Sequence, residues 1–111
     1  MENTRELKDL SAINFNEIES IVNHEVTIHH PQGVIDAVVK GIRPLKKMEG
    51  APGREQPFAI IFECGDHVTP QQASVMIRHE KFEMQNVFIT PTMKSEEDKD
   101  KKNIYFEAVF G

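Results

Sequence analysis

The chain predicts a mainly β fold: about six antiparallel strands in a small barrel or sandwich, with one short N-terminal helix. Three observations predict it. Apolar residues recur at every second position through much of the chain, the period of a strand with one face on a core. Turn residues punctuate those runs at hairpin spacing, as at Pro31-Gln32-Gly33, Gly65-Asp66 and Thr69-Pro70. The 111 residues, 39% hydrophobic and 28% charged, suffice for one core and leave no room for a second, so a single domain over 1–111 is expected.

Residues 1–13 read as an N-terminal arm or helix. Leu7, Leu10 and Ile13, then Ile18, Ile21 and Val22, keep helical spacing, interrupted at Asn14-Phe15-Asn16, where a cap belongs. Asn14 or Asn16 is expected to start a short helix whose Glu17 and Glu19 complement the positive end of its dipole. After Asn23 the period changes to two. Val26 and Ile28 alternate with Thr27 and His29, Pro31-Gln32-Gly33 turns the chain, and Val34 to Ile42 returns with Ile35, Ala37 and Val39 on one face and Asp36 and Lys40 on the other.

Residues 44–57 carry Pro44, Gly50, Pro52, Gly53 and Pro57 among charged residues and read as a mobile loop. Phe58 to Phe62 is apolar on both faces, as in a strand covered on each side. Ser74 to His79 forms the next strand, with Val75 and Ile77 alternating against polar neighbours. A connection over Glu80 to Asn86 leads to Val87-Phe88-Ile89-Thr90, stopped by Pro91. Residues 93–103 contain the mixed-charge run Lys94 to Lys102, whose ordering no burial would offset, and read as a second mobile loop at a hairpin tip. The last strand, Ile104 to Phe110, places Ile104, Phe106, Ala108 and Phe110 on one face and Tyr105, Glu107 and Val109 on the other. Short links make pairing of sequential strands the expectation, with the helix plugging one end.

The charge balance narrows the classes of partner. Eighteen acidic against 13 basic residues give a net charge of −5, which repels phosphate backbones. The basic stretches, Arg43 to Lys47 and Lys94 to Lys102, are short or interleaved with acids, so nucleic acid is not an expected partner. Cys64 is the only cysteine, which excludes an intramolecular disulfide and a Cys-rich zinc site and suits a reducing compartment. The first thirty residues hold six glutamates and aspartates and no apolar run long enough for a signal peptide or membrane span, so a cytoplasmic site of synthesis is expected and no membrane partner.

Each candidate for chemistry fails on spacing or on missing companions. His24-Glu25-Val26-Thr27-Ile28-His29 resembles a zinc-protease helix, but that motif needs its histidines four apart, and these are five apart. Five apart in a strand also puts them on opposite faces. His79-Glu80 with Glu83, and Asp66-His67, offer acid and base pairs with no nucleophile at a strained turn and no Gly-rich anion loop. Cys64 closes an apolar strand beside an acid and reads as a buried structural thiol. Met48, Met76, Met84 and Met93 are scattered over different elements and read as core filling, and the glycines form no nucleotide-binding pattern. The loop Lys46 to Gln56 is long enough to close over a site but brings no acid, base or nucleophile with it. No catalytic, cofactor-binding or metal-binding residues are expected.

Several stretches carry a resemblance. Pro57-Phe58 through Phe62, Thr69-Pro70-Gln71, His79 with Phe82, Val87-Phe88-Ile89-Thr90-Pro91 and Tyr105 to Phe110 occur in the order and rough spacing of a family of small bacterial β domains of unknown function, and Phe15 to Ile28 fits its helix-then-strand opening. The chain departs from that pattern at Gln72, where glycine is usual, at Glu80, where proline is common, and at Gly111, where asparagine is common. Members are often encoded beside proteins similar to phage tail collar or tail fibre proteins. The resemblance therefore implies a non-enzymatic structural or accessory protein of a phage-tail-like or surface-appendage assembly, with protein partners and possible incorporation into an extracellular particle. On that reading the last strand, if at an edge, adds to a neighbouring sheet; it is equally able to be paired on both sides. The alternative is a small barrel holding an apolar ligand among Phe58, Phe62, Phe88, Phe106 and Phe110.

Overall fold

The computed structural model describes residues 6–8, 13–47, 49–50, 56–93 and 102–111. Among the described residues seven strands and one helix follow in the order β1 (Glu6–Lys8), α1 (Phe15–Glu19), β2 (Glu25–His30), β3 (Gly33–Pro44), β4 (Phe58–Cys64), β5 (Ala73–Arg78), β6 (Phe82–Pro91) and β7 (Ile104–Phe110). Six of the strands, β2 to β7, are antiparallel and close into a small barrel, as the alternating pattern predicts.

Asn14 caps α1: its Oδ1 accepts from the Glu17 backbone N–H at 2.9 Å, and its Nδ2 donates to Glu17 Oε1 at 3.1 Å. The helix is five residues long and buries Ile18. Phe15 meets Phe58 edge to face, with ring centroids 6.1 Å apart, and Phe58 lies against Phe110 at 5.1 Å, so the helix closes the barrel end where β4 begins and β7 finishes. Asn23 then turns the chain in the left-handed region, φ 74°, and its N–H donates to the Val39 carbonyl at 2.7 Å. The helical spacing read across Leu7 is corrected here. Glu6–Lys8 is a strand parallel to β6, because hydrogen bonds to a sheet outweigh the weak preference of three residues for helix. Residues 1–5 and 9–12 of the expected N-terminal arm or helix lie outside the described residues.

Strands β2, β3 and β4 form one antiparallel meander. The second half, β5, β6 and β7, repeats the plan, with β6 meeting β7 at Thr90↔Glu107 and Pro91↔Phe106. The halves join first strand to first, β2 with β5, and last to last, β4 with β7. Among β2 to β7, sequential pairing, expected throughout, therefore breaks once: β4 does not pair with β5, and residues 65–72 carry the chain across the barrel end instead.

Inward positions of all six strands fill the interior. Ile28, Val39, Phe58, Ile60, Phe62, Ile77, Ile89 and Phe106 are fully buried. Both central strands bulge, which lets a sheet of so few strands bend into a ring. In β3 the register slips between Val39 and Gly41, leaving Lys40 as the extra residue. In β6 the ladder moves three residues, from Val87 to Met84, while β5 moves two, from Val75 to Ile77. Asn86 takes up the difference in the left-handed region, φ 59°. The strand therefore starts at Phe82 rather than Val87. Phe82 and Met84 on one side of the bulge, and Val87 and Ile89 on the other, all point inward. Phe88, expected inside, is 55% exposed. The mixed-charge run 94–101, and residues 48 and 51–55 of the other expected mobile loop, lie outside the described residues; the base of the latter is closed by Leu45 N–H donating to the Pro57 carbonyl at 2.9 Å.

Asn86→Val places a β-branched side chain in left-handed backbone and is expected to lower stability by about 1–2 kcal/mol, while Asn86→Gly is expected to be neutral or mildly stabilising. Urea unfolding followed by far-UV circular dichroism measures both.

Candidate functional site

Alternation that sends Val26, Ile28, Ile35, Ala37, Phe62 and Ile77 inward sends Thr27, His29, Val34, Asp36, Val38, Glu63 and Arg78 outward across β5, β2, β3 and β4. Together with Glu25, Gly65, Glu80 and Asn103 these residues line a groove of about 840 Å³ on the outer face of the barrel. Among the described residues its charged lining is unbalanced: the carboxylates Glu25, Asp36, Glu63 and Glu80 face one guanidinium, Arg78. Arg78 is bound to Glu83 across the β5–β6 ladder, with Nε donating to Oε1 at 3.0 Å and a terminal nitrogen 2.8 Å from the same oxygen. Val34, 63% exposed, supplies an apolar contact beside the acids.

Glu63 is held in place. Tyr105 Oη and Asn103 Nδ2 each donate to its Oε2 at 2.9 Å, linking β4 to β7. Elsewhere on β7, Glu107 forms an ion pair with Arg43 of β3.

His79 lines one end of the groove and meets His24, 55 positions away in the chain. His24 lies in the turn before β2, and His79 begins the tight turn between β5 and β6, where its N–H donates to the Phe82 carbonyl at 2.9 Å. Their rings are nearly coplanar, 12° apart, with centroids at 5.2 Å and His24 Nδ1 3.0 Å from His79 Nε2. Such rings meet edge on, the direction in which an imidazole hydrogen bond points. His79 is 2% exposed and packs on Phe82 with ring centroids 5.0 Å apart. Burial and then the neighbouring His24 push its pKa below the ordinary histidine value, with Lys81 adding to the shift and Glu80 opposing it.

The opposite end of β2 carries a different polar assembly. Buried His30 has Nε2 2.8 Å from the Gln71 carbonyl, while its Nδ1 accepts from the Gln32 backbone N–H at 3.2 Å. The Gln32 side chain donates to the Thr69 carbonyl and accepts from the Thr69 N–H, both at 2.9 Å. The β2–β3 turn is thus clasped to the segment that crosses from β4 to β5, and Thr69-Pro70-Gln71 owes its place in the fold to this contact.

Among the residues singled out from sequence, His24 and His79 come together, although neither had the other as its expected companion. His29 lies beside Thr27 in the groove, with Nε2 3.3 Å from Thr27 Oγ1. Glu83 pairs with Arg78 rather than with His79, and Asp66 and His67 are exposed in a turn. Met84 is buried in the core and Met93 is exposed. Among the described residues no three or more histidine, cysteine, aspartate or glutamate side chains gather as a metal ion requires, and no helix is long and apolar enough to cross a membrane. Sequence reasoning missed the groove; the acids of Glu25, Asp36 and Glu63, read together as outward positions on three neighbouring strands, are the signal that was present.

Compared with known families, residues 13–110 match the model of DUF6916, described as a domain of unknown function. No curated protein and no solved structure matches the chain.

Cys64 ends β4 buried, and burial, with Glu63 adjacent, raises its thiol to about 11. At pH 8 the thiolate fraction is then about a hundredfold below that of a thiol with the ordinary value. Labelling by 5,5′-dithiobis(2-nitrobenzoate) at pH 8 is expected to be at least that much slower in the folded protein than in urea. Equal rates would place the thiol in solvent.

Proposed function

We propose, from the premise that this chain belongs to the DUF6916 family, a domain of unknown function, that it is a non-catalytic accessory protein which docks a partner chain through the outer groove. The observation that carries this reading is the groove's excess of carboxylates on a face where the groups able to do chemistry are engaged with one another. His79 is bonded to His24, Arg78 to Glu83, and Glu63 to Tyr105 and Asn103. What remains is a shaped, negative surface with an apolar contact at Val34, which complements an extended segment bearing lysine or arginine at alternate positions. The resemblance noted in the sequence adds the setting: a bacterial protein made in the cytoplasm and incorporated into a phage-tail-like or surface-appendage assembly.

The docking surface of this proposal is a sheet face and not a strand edge. β7 pairs with β4 along its length and meets β6 at its middle, so it closes the ring. The packed interior also favours this reading over an apolar-ligand barrel, because Phe58, Phe62 and Phe106 fill the space and Phe88 points away from it.

A fluorescein-labelled peptide alternating lysine and valine is expected to bind at low salt, and its glutamate–valine counterpart is not. Asp36→Asn combined with Glu25→Gln should weaken the lysine peptide by up to about tenfold, as should raised salt. Equal binding of the two peptides, or indifference to both substitutions, would count against the groove.

A further inference from the structure

We propose that His24 and His79 form a proton-operated latch beside the groove, bonded at neutral pH and broken on mild acidification, and that breaking it releases a cationic partner. This rests on the reading of the groove as the docking surface. The geometry sets the protonation state. The Lys81 backbone N–H donates to His79 Nδ1 at 3.1 Å, so in the neutral ring the proton sits on Nε2. That proton is directed at His24 Nδ1, 3.0 Å away, which leaves the His24 proton on its own Nε2.

No arrangement of one further proton preserves both bonds. Added to His24 Nδ1, it faces the N–H of His79; moving the His79 proton to Nδ1 to escape this sets it against the Lys81 N–H. Added to His79 directly, it meets the same N–H. Protonation therefore breaks either the His24–His79 bond, which ties the turn before β2 to the β5–β6 turn, or the Lys81–His79 bond, which braces the β5–β6 turn itself, and His79, enclosed against Phe82, has little water to replace either. Among the described residues, the charged and titratable groups acting on His79 are His24 from the facing turn and Glu80 and Lys81 from its own hairpin. Glu25 follows His24 in the chain, and it and Glu80 line the groove. Positive charge on the pair thus also offsets the carboxylates that would attract the partner, so both effects have the same sign.

The direction in pH follows. The folded-state pKa of His79 lies below its unfolded value, so the stability it contributes is complete above about 6.5 and is lost as pH falls from there through the folded pKa.

Histidine Cε1–H and ring-nitrogen resonances, followed from pH 7.5 to 5, test the latch without any ligand. Both rings are expected as the Nε2–H form at pH 7.5. His79 should titrate below the ordinary range, and the Lys81 amide should lose hydrogen-exchange protection at least tenfold over the same interval, while the amide of Ile60, in the middle of β4, does not. Independent titration of the two rings with an unchanged Lys81 amide would overturn the proposal. In parallel, the dissociation constant of the lysine–valine peptide is expected to rise by up to about tenfold per pH unit for each proton taken up. His24→Gln, which keeps an acceptor for His79 but cannot titrate, should reduce that slope to at most one proton; an unchanged slope would remove His24 from the mechanism. A peptide that binds at no pH would overturn the groove reading, and the resonances would still decide the latch.

Discussion

A ring of six strands has room inside only for its own side chains. Even about eight strands leave a small barrel filled by its inward residues, and here Phe58, Phe62 and Phe106, with the isoleucines of β2, β4, β5 and β6, take up the centre. The rest of the molecule depends on that closure. With the interior filled, the proposed docking rests on the outer face, where alternation puts every second residue of each strand. The bulges in β3 and β6 are part of the same constraint, because they bend the two longest strands enough for the ring to meet itself at Thr90 and Glu107.

Features that depend on neighbours in sequence were legible in it. The Asn14 cap, the β2–β3 hairpin around Gly33, the doubly buried start of β4 and the inward face of β7 are all written in local spacing. Phe88 shows where local reading fails. With Glu80 to Asn86 read as a connection, the short run from Val87 does not fix which face Phe88 takes; the strand in fact begins at Phe82 and the extra residue at Asn86 sets its parity, and nothing in an asparagine announces whether it ends a strand or bends one. The crossing from β4 to β5 was hidden for a different reason. Short links favour neighbours, and the contacts that override this come from Gln32 and His30, some 40 positions away from the segment they hold. The histidine pair is likewise a product of topology: β2 and β5 lie side by side only because the two halves of the chain meet there.

The two polar assemblies on β2 illustrate how the same residue type serves different ends. His30 is surrounded by a carbonyl on one nitrogen and donors on the other, an arrangement that locks one tautomer and ties loop to loop. His24 and His79 face each other, so the state of one ring limits the state of the other. The first assembly holds the crossing segment; the second lies where the groove, the helix turn and the β5–β6 hairpin converge.

The barrel's two halves follow one plan, a meander with a long, bulged strand in the middle, joined first to first and last to last. Their outer surfaces do not match. Around β3 the surface is concave and acidic, whereas on β6 and β7 it carries Phe88 and Val109, 55% and 59% exposed. A body of near twofold plan with unlike sides has a front and a back. Contacts made through both would give any array of such bodies a polarity, each member pointing the same way as the last.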